Sequence, residues 1–396
     1  MKILYLTLED ISLHKGSVVH IEEIVSGLHT RGHNVGLLAR NPGGIKKIDF
    51  FYDLQPASSW WGPLRRLRTS TYLLSSLFLF FSLWFLLPRY EVVYARDFHA
   101  AVMAWMPRWV FRKKLVYEIN GLASEEVKLK GNSFGVRLFS VLIRGAERMA
   151  ALCADLIISV TPQIASHLVI RFHVSPNRVE IVGNGVDPEK FLPIRDPAQL
   201  NIWRKRLGIE EKDRVIGFVG NLAPWQGIDI LIESALRVLN RTERLKVLIV
   251  GEGMMKPWLL TRVMEEGFGR DFIFTGTMPH ETVPVLINVA DICVAPFIAR
   301  RNKETGVSPL KVFEYLACGK PIVASRIEGL EVIERTGVGI LVEPGDPIDL
   351  ENALLKLLRE PQQWREMGQR GLEVARQEFS WESRAATIEH LLTRLA

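Results

Sequence analysis

Two short loops in the sequence suit the binding of an anion through backbone N–H groups. Each follows an apolar run that predicts a β-strand and precedes a pattern that predicts a helix, whose first N–H groups attract negative charge. The first loop contains Gly16. The second places Gly220 and Gly227 around two amide side chains, Asn221 and Gln226, which offer neutral hydrogen bonds. Both loops are also compatible with an ordinary strand–helix turn.

A third loop is the most informative, and it contains Gly306, Val307 and Ser308. Ser308 is expected to be the N-cap of the following helix and Pro309 its first residue. Lys311 and Glu314 are three residues apart and therefore share one helix face. A cation near the anion site and a carboxylate one turn further suit a phosphate followed by a ribose diol. The helix is too apolar for an incidental surface ion pair.

Common nucleotide-binding signatures are missing at the first loop. It has no Gly-x-Gly-x-x-Gly fingerprint, and no Walker lysine followed by serine or threonine. An ordinary dinucleotide-binding protein and a kinase are therefore disfavoured.

The elements that would position these loops alternate between strand and helix. Most predicted strands are near-continuous apolar runs, as expected for parallel strands covered on both faces. The predicted strands are Lys2–Thr7, Asn34–Ala39, Glu91–Ala95, Leu115–Ile119, Leu156–Val160, Val179–Val182, Val215–Val219, Lys246–Val250, Phe272–Phe274, Ile292–Ala295, Pro321–Ala324 and Gly339–Val342. Examples of the predicted helices are Val18–Arg31, Arg137–Cys153, Ile228–Asn240 and Leu310–Cys318. This alternation predicts α/β domains with doubly wound parallel sheets.

A Pro-rich and charged stretch, Asp187–Pro197, interrupts the series and is the predicted linker. We therefore predict two Rossmann-like domains, residues 1–190 and 191–378, and a C-terminal helix in residues 379–396 that returns to the first domain. Such sheets bind ligands at the carboxyl ends of their strands, so two facing domains would create a cleft.

The composition excludes several classes of protein. The 396 residues are 48% hydrophobic and 24% charged, which excludes a disordered tail, a collagen-like fibre and a multi-span transporter. The first 190 residues carry 23 basic and 16 acidic side chains, whereas the remainder carries 27 and 28. This surplus indicates either a polyanionic partner of the first half or an ordinary solvated surface. Three cysteines, far apart and in apolar surroundings, favour a reducing compartment.

An uncharged apolar segment, Thr69–Pro88, stands out from this pattern. Its strongly apolar part, Tyr72–Leu87, has 16 residues, slightly short of the roughly 20 that span a bilayer. A buried core helix, a helix in the membrane interface and a spanning helix are three open interpretations. The preceding arginines and tryptophans favour the interface. The residues expected to contact the membrane are Arg65, Arg66, Arg68, Phe78 and Trp84.

Further short motifs follow one another in a specific order. In the first half they are Gly16-Ser17 with His20, Arg31–Val35, Tyr94–Asp97, Glu118–Gly121 and, at the linker, Asn184–Asp187. In the second half they are Gly217–Gly220, Val250–Gly253, Phe274–Gly276, Ala290-Asp291 and Glu314–Pro321. With this order and spacing, essentially the whole chain resembles the retaining GT-B glycosyltransferases of family four. The resemblance implies a GT-B fold, in which two Rossmann-like domains face each other across a cleft.

The resemblance also implies where the substrates bind. A nucleotide-diphosphate sugar would be held mainly by the second domain and an acceptor by the first. Glu314 would be the carboxylate that hydrogen-bonds the ribose hydroxyls. The other residues expected at the donor are Gly16, Gly220, Asn221, Gln226, Gly306, Val307, Ser308 and Lys311.

Several positions depart from the family pattern. The first glutamate of its Glu-x7-Glu motif would fall at Gly306, and Glu304 lies two residues early. The arginine and lysine that usually hold the diphosphate fall at Asn221 and Gln226. Because neutral amides bind a dianion less strongly than cations do, we expect Lys311 to supply the missing charge. The other candidates are Arg300, Arg301 and Lys303.

The resemblance leads to expectations about mechanism. Many relatives carry a histidine where this chain has Arg96 and Asn120, so no obvious imidazole acts as a base. The expected catalytic residues are Asn120, Glu118 and Lys311, although Glu118 is equally compatible with a structural role. Because the sequence has no Asp-x-Asp metal signature, we expect no essential metal ion and no cofactor besides the sugar nucleotide. Retention would then proceed by front-face substitution, with the donor phosphate accepting the acceptor's proton.

We therefore predict a retaining glycosyltransferase of cell-envelope polysaccharide biosynthesis. Its acceptor would be lipid-linked or a polysaccharide, and it would work as a peripheral protein at the cytoplasmic face of the cell membrane. The alternative is a non-catalytic sugar-nucleotide-binding subunit of a glycosylation complex, motivated by Gly306, Asn221 and Gln226. No basic stripe interleaved with aromatic residues is present, so we expect no nucleic-acid partner.

Overall fold

The computed structural model describes residues 1–12, 16–41, 50–54, 68–128, 131, 133–299, 302 and 305–395, with the backbone alone for residues 68–75. The chain divides into two compact units, Met1–Asn184 with Trp381–Ala396, and Gly185–Ser380. The division falls at Asn184 rather than at residue 190. One reason is that the backbone N–H of Val186 donates to the carbonyl oxygen of Phe379 at 2.7 Å, and this hydrogen bond lies within the second unit.

The described part of the first unit contains a seven-stranded parallel sheet in the order β3-β2-β1-β4-β5-β6-β7. Its strands are β1 Lys2–Asp10, β2 Asn34–Arg40, β3 Phe50–Asp53, β4 Val92–Arg96, β5 Lys114–Ile119, β6 Leu156–Ser159 and β7 Val179–Ile181. Its helices are α1 Gly16–Thr30, α2 Arg68–Leu86, α3 Phe98–Val110, α4 Ala123–Lys128, α5 Phe134–Cys153, α6 Pro162–Phe172 and, from the C-terminal segment, α15 Trp381–Leu395. The strand order reverses between β1 and β4, which makes the carboxyl ends of these two strands the expected ligand crevice.

The second unit contains a six-stranded parallel sheet in the order β10-β9-β8-β11-β12-β13. Its strands are β8 Arg214–Val219, β9 Leu245–Val250, β10 Phe272–Gly276, β11 Ile292–Ala295, β12 Ile322–Ser325 and β13 Gly339–Val342. Its helices are α7 Pro197–Arg206, α8 Ile228–Leu239, α9 Lys256–Glu265, α10 Val283–Val289, α11 Leu310–Ala317, α12 Val332–Arg335, α13 Pro347–Arg359 and α14 Trp364–Glu378. The order reverses between β8 and β11, so the loops after these strands form the crevice of this unit.

The strands form because their apolar side chains are buried on both faces of each sheet, as parallel sheets require. Strand β11, for example, is buried along its whole length. Helix α8 shows the matching helical pattern, since Ile228, Leu231, Ile232 and Ala235 are buried on one face against the sheet.

Two local expectations were wrong or incomplete. Strand β3 was not predicted, because its four residues lack a buried apolar run and Phe50 and Phe51 are exposed. Helix α11 begins at Leu310, with Pro309 as its N-cap residue, so Ser308 is not the N-cap. The cause is the extended backbone of Pro309, whose ψ of 116° keeps it outside the helix.

The apolar segment forms helix α2, which has two different faces. Leu79, Leu83 and Leu86 are buried in the core of the first unit, whereas Phe81 and Phe85 are exposed. In the described part of the chain, no helix has the length and hydropathy needed to cross a bilayer.

Candidate functional site

The crevice of the second unit is closely packed at Gly220, directly after β8. The φ of Gly220 is +146°, a conformation that disfavours any residue with a side chain. Its N–H donates to the carbonyl oxygen of Val250 at 2.9 Å. A Cβ atom at this position would lie 2.6 Å from Nζ of Lys311. Glycine is therefore needed both for the turn and for the approach of the lysine ammonium.

The Lys311 ammonium is held at this crevice by neutral groups. Its Nζ donates to Oε1 of Gln226 at 2.7 Å and lies 3.9 Å from the ring centroid of Phe218 and 5.4 Å from that of Phe297. Desolvation by these surroundings lowers the pKa of Lys311 to about 7, against the opposing effect of the Glu314 carboxylate. Because the Lys311 ammonium is poorly solvated, water would compete little with an anion that binds to it.

Glu314 lies one turn further along α11 and is buried. Its Oε1 is 3.6 Å from Nε2 of His280, a residue that follows β10. On its other side the imidazole contacts Lys190, with 2.8 Å between Nδ1 and Nζ. The carboxylate is thus confined by a histidine and, behind it, a lysine.

The other predicted donor residues occupy the surrounding loops. Asn221 is exposed, and its Oδ1 would lie 2.6 Å from a Cβ atom at Gly253. Gly306 has a φ of +63° and donates its N–H to the carbonyl oxygen of Asn302 at 2.7 Å, while Val307 and Ser308 are half-buried. The structure thus joins Gly220, Gln226 and Lys311 directly. The alternative cations Arg300, Arg301 and Lys303, and also Glu304, lie outside the described residues.

The first unit contains a separate polar cluster around Glu118, at the carboxyl end of β5. Oε1 of Glu118 accepts a hydrogen bond from Nδ2 of Asn120 at 2.6 Å and lies 2.6 Å from Nε2 of His20. Oε2 accepts from the Tyr94 hydroxyl at 2.6 Å. The side chain is 1% exposed, so both oxygens are engaged inside the protein.

Burial alone would raise the pKa of Glu118, but His20, Arg96 and the Tyr94 hydroxyl outweigh it and lower the pKa to about 2. A carboxylate with so low a pKa is a poor proton acceptor at neutral pH. The cluster is well suited to fixing Asn120 and His20. Gly16 is the exposed first residue of α1, and the three residues before it lie outside the described ranges.

Two family models match this chain in consecutive segments. Residues 14–190 match the model described as Glycosyltransferase Family 4, and residues 213–360 match the model described as Glycosyl transferases group 1. The chain belongs to the family-four glycosyltransferases. Family membership confirms the prediction of a glycosyltransferase.

Curated relatives of this family-four glycosyltransferase include two D-inositol 3-phosphate glycosyltransferases. The protein from Thermobifida fusca is 33% identical over 261 residues, 63% of this chain and 56% of the relative. The protein from Geodermatophilus obscurus is 31% identical over 305 residues, 74% of this chain and 64% of the relative. The chain thus aligns with less than two thirds of the length of both.

Solved structures confirm the predicted GT-B fold of the family-four chain. Sucrose-phosphate synthase from Thermosynechococcus elongatus has a TM-score of 0.78 at 20% identity, covering 100% of this chain and 98% of that protein. HepE from Anabaena, in complex with UDP-glucose, has a TM-score of 0.76 at 19% identity, covering 100% of both chains. WaaG, a glycosyltransferase of lipopolysaccharide biosynthesis, has a TM-score of 0.74 at 16% identity, covering 98% of this chain and 99% of that one.

Sequence reasoning missed the two residues behind Glu314. Lys190 lies in the stretch that was interpreted as a linker, and His280 was not singled out at all. The position of His280 after a strand of the parallel sheet was an available signal, because ligands of such sheets bind at the carboxyl ends of strands. Its pairing with Lys190 depends on contacts 90 residues apart in sequence, which no local pattern indicates.

Proposed function

We propose that this chain transfers a glycosyl group, with retention, from a nucleotide-diphosphate sugar to a lipid-linked or polysaccharide acceptor. The observation that carries the proposal is the position of the Lys311 ammonium, against Gly220 and Gln226 in the crevice of the second unit. It offers a positive charge next to a glycine turn, with the Glu314 carboxylate one helical turn away. This pattern suits a diphosphate and its ribose.

Lys311 would act mainly on the leaving group. When the bond between the anomeric carbon and the phosphate oxygen breaks, negative charge develops on the diphosphate, and a nearby ammonium stabilises that charge. The acceptor oxygen bonds to the anomeric carbon on the same face, and its proton passes to a donor phosphate oxygen. We propose that this step needs no metal ion, so activity should persist after dialysis against EDTA.

In the first unit, Asn120 would orient the acceptor or the phosphate. Glu118 would act through Asn120 and His20, because both of its oxygens are already engaged. An exchange of Glu118 for Gln keeps the shape of the side chain but removes the charge. It should disturb the placement of His20 and Asn120 and lower kcat, with little change in the Kd of the donor.

Association with a membrane surface is supported by large exposed aromatic side chains on α2 and on α3. Phe85 is 78% exposed on α2 and Trp109 is 74% exposed on α3. The ring centroid of Trp84 is 5.9 Å from that of Phe111, so Trp84 helps to join the two helices rather than standing free. Arg112 and Lys114 are exposed directly after α3. Aromatic and basic side chains together suit an anionic lipid surface, which would bring the enzyme to a lipid-linked acceptor.

Thermal unfolding with a panel of UDP-, GDP- and ADP-sugars tests the donor class, because a ligand that binds only the folded protein raises its apparent stability. UDP-glucose comes first, since HepE, a protein of the same fold, binds it. Transfer is then measured with lipid-linked and polysaccharide acceptors and, because of the curated relatives, with inositol 3-phosphate. No shift with any donor would contradict the proposal.

A non-catalytic sugar-nucleotide-binding subunit is the second candidate, since Gly306, Asn221 and Gln226 replace residues of the family pattern. It predicts donor binding without transfer. Donor-dependent transfer that is lost in a folded Glu314→Ala variant would exclude it.

A further inference from the structure

We propose that Lys190 and His280 are positioning residues that orient the Glu314 carboxylate and so set the preference of this protein for a nucleotide with intact ribose hydroxyls. The proposal rests on the proposed function, because it takes Glu314 as the group that binds the ribose. Neither Lys190 nor His280 needs to touch the nucleotide. Their effect would pass through Glu314.

Three separate parts of the second unit converge at this point. Lys190 precedes α7, His280 follows β10, and Glu314 lies on α11. Nζ of Lys190 is 2.8 Å from Nδ1 of His280, and Nε2 of the same imidazole is 3.6 Å from Oε1 of Glu314. The ring of Phe191 contacts that of His280, with 5.5 Å between the two ring centroids.

The lysine determines which nitrogen of His280 carries the proton. An ammonium group has donors and no acceptor, so Nδ1 must accept the hydrogen bond from Lys190. The ring proton is then on Nε2, the nitrogen that faces Glu314. At 3.6 Å this N–H attracts Oε1 electrostatically, although the separation is slightly longer than that of a hydrogen bond.

This arrangement would prepare the carboxylate for a diol. With Oε1 attracted to His280, the carboxylate plane is restrained, and its remaining lone pairs can accept from the 2′- and 3′-hydroxyls of ribose. A group restrained before binding loses less conformational entropy on binding. Without Lys190 the imidazole could place its proton on Nδ1 and turn a lone pair toward the carboxylate, which would repel it.

The test is the ratio of the Kd values for 2′-deoxy-UDP and UDP, measured by titration calorimetry on the full chain. If the donor panel selects another base, the corresponding GDP or ADP pair is used. The variants are Lys190→Met, His280→Leu, His280→Gln and Glu314→Gln. Lys356→Met, an exposed lysine on α13, is the matched control.

We expect Lys190→Met and His280→Leu to weaken UDP binding by about threefold to tenfold, the typical value of one hydrogen bond, and to weaken the binding of 2′-deoxy-UDP, which keeps only the 3′-hydroxyl, by clearly less. The ratio should therefore fall. In His280→Gln, the amide nitrogen can replace Nε2 as a donor, so the ratio of the two Kd values should stay close to that of the unmodified protein. In Lys356→Met the ratio should be unchanged.

Equal weakening of both nucleotides, or an unchanged ratio in Lys190→Met and His280→Leu, would overturn the positioning role. If Glu314→Gln lowers the ratio while Lys190→Met and His280→Leu leave it unchanged, the positioning role of Lys190 and His280 is wrong, and Glu314 remains the residue that binds the ribose. If Glu314→Gln itself keeps the ratio, the ribose assignment of the proposed function is wrong. Should His280→Leu fail to fold, Lys190→Met is used alone for the test, because Lys190 is only half-buried.

Discussion

At the scale of single residues, the proposed donor site would take its positive charge from an unusual position in the sequence. Relatives would carry cations at positions 221 and 226, where this chain has two amides. The hydrogen bond from Lys311 to Gln226 brings an ammonium to the side chain that replaces the usual lysine. The positive charge is therefore near the expected place, although it is supplied from α11 rather than from the loop after β8.

The close approach of Gly220 to Lys311 leads to a first prediction. In Gly220→Ala, the new Cβ would collide with Nζ of Lys311 and the backbone would be strained at a φ of +146°. Such strain costs on the order of 1–3 kcal/mol. We expect a lower Tm and a donor Kd raised by about tenfold or more. Gly345→Ala is the control for strain alone, since its φ is +85° and a Cβ atom there has no neighbour within 4 Å. A Gly220→Ala protein with unchanged donor affinity would contradict the predicted collision.

The lowered pKa of Lys311 leads to a second prediction, on pH. The ammonium is charged below its pKa of about 7 and loses its proton above it, so binding of a sugar diphosphate should weaken as the pH rises from 6 to 8.5. A bound diphosphate favours the charged form, so the titration of the complex lies at higher pH than that of the free protein. Calorimetry with UDP-glucose measures the slope, because its diphosphate stays fully ionised in this range.

Two variants serve as controls for the pH profile. Lys311→Arg keeps a permanent charge and Lys311→Met has none, so both should give a nearly flat profile. If Lys311→Met retained the slope of the unmodified protein, another group would be responsible.

At the scale of elements, α2 illustrates what an apolar pattern leaves open. Its composition is compatible with a core, an interface or a spanning helix, and the buried row Leu79, Leu83 and Leu86 accounts for only part of its apolar residues. The remaining face exposes Phe78, Phe81 and other large side chains. Because hydrophobic residues occur on all sides of this helix, the sequence pattern did not distinguish its buried face from its exposed face. Arg65 and Arg66 lie outside the described residues, and the placement of the Arg68 side chain is likewise not described.

The two faces of α2 should respond differently to truncation. Leu83→Ala removes a fully buried side chain and should lower the free energy of unfolding by about 2–5 kcal/mol. Phe85→Ala, on the exposed face, should change it by less than about 0.5 kcal/mol. Chemical denaturation measures both values. Equal losses would show that Phe85 is packed as well.

Binding to vesicles should show the opposite order. Co-sedimentation with vesicles that contain an anionic lipid should fall in Phe85→Ala and Trp109→Ser and stay unchanged in folded Leu83→Ala. If the unmodified protein ignored these vesicles, the membrane part of the proposed function would fail.

At the scale of the whole molecule, the sequence was sufficient to predict the architecture and to select part of the candidate site. Continuous apolar strands, alternating with helices, predicted both parallel sheets because burial on two faces leaves a clear signal. Glu314 and Lys311 could be selected because charged residues are unusual on so apolar a helix. The edge strand β3 could not be predicted, since it lacks a buried apolar run. The Lys190–His280 pair could not be predicted either, since it depends on contacts between distant segments.

The central claim is that Lys311 binds the donor diphosphate. Moving the positive charge from position 311 to position 226 tests it most directly. Titration calorimetry with the donor selected by the panel compares the unmodified protein, Lys311→Ala, and the double variant Lys311→Ala with Gln226→Lys. Loss of a charge-assisted hydrogen bond of about 1.5–3 kcal/mol predicts a Kd roughly tenfold to a hundredfold higher for Lys311→Ala. The double variant, which returns a lysine to the position usual in the family, should recover much of this loss. An unchanged Kd in Lys311→Ala would contradict the account.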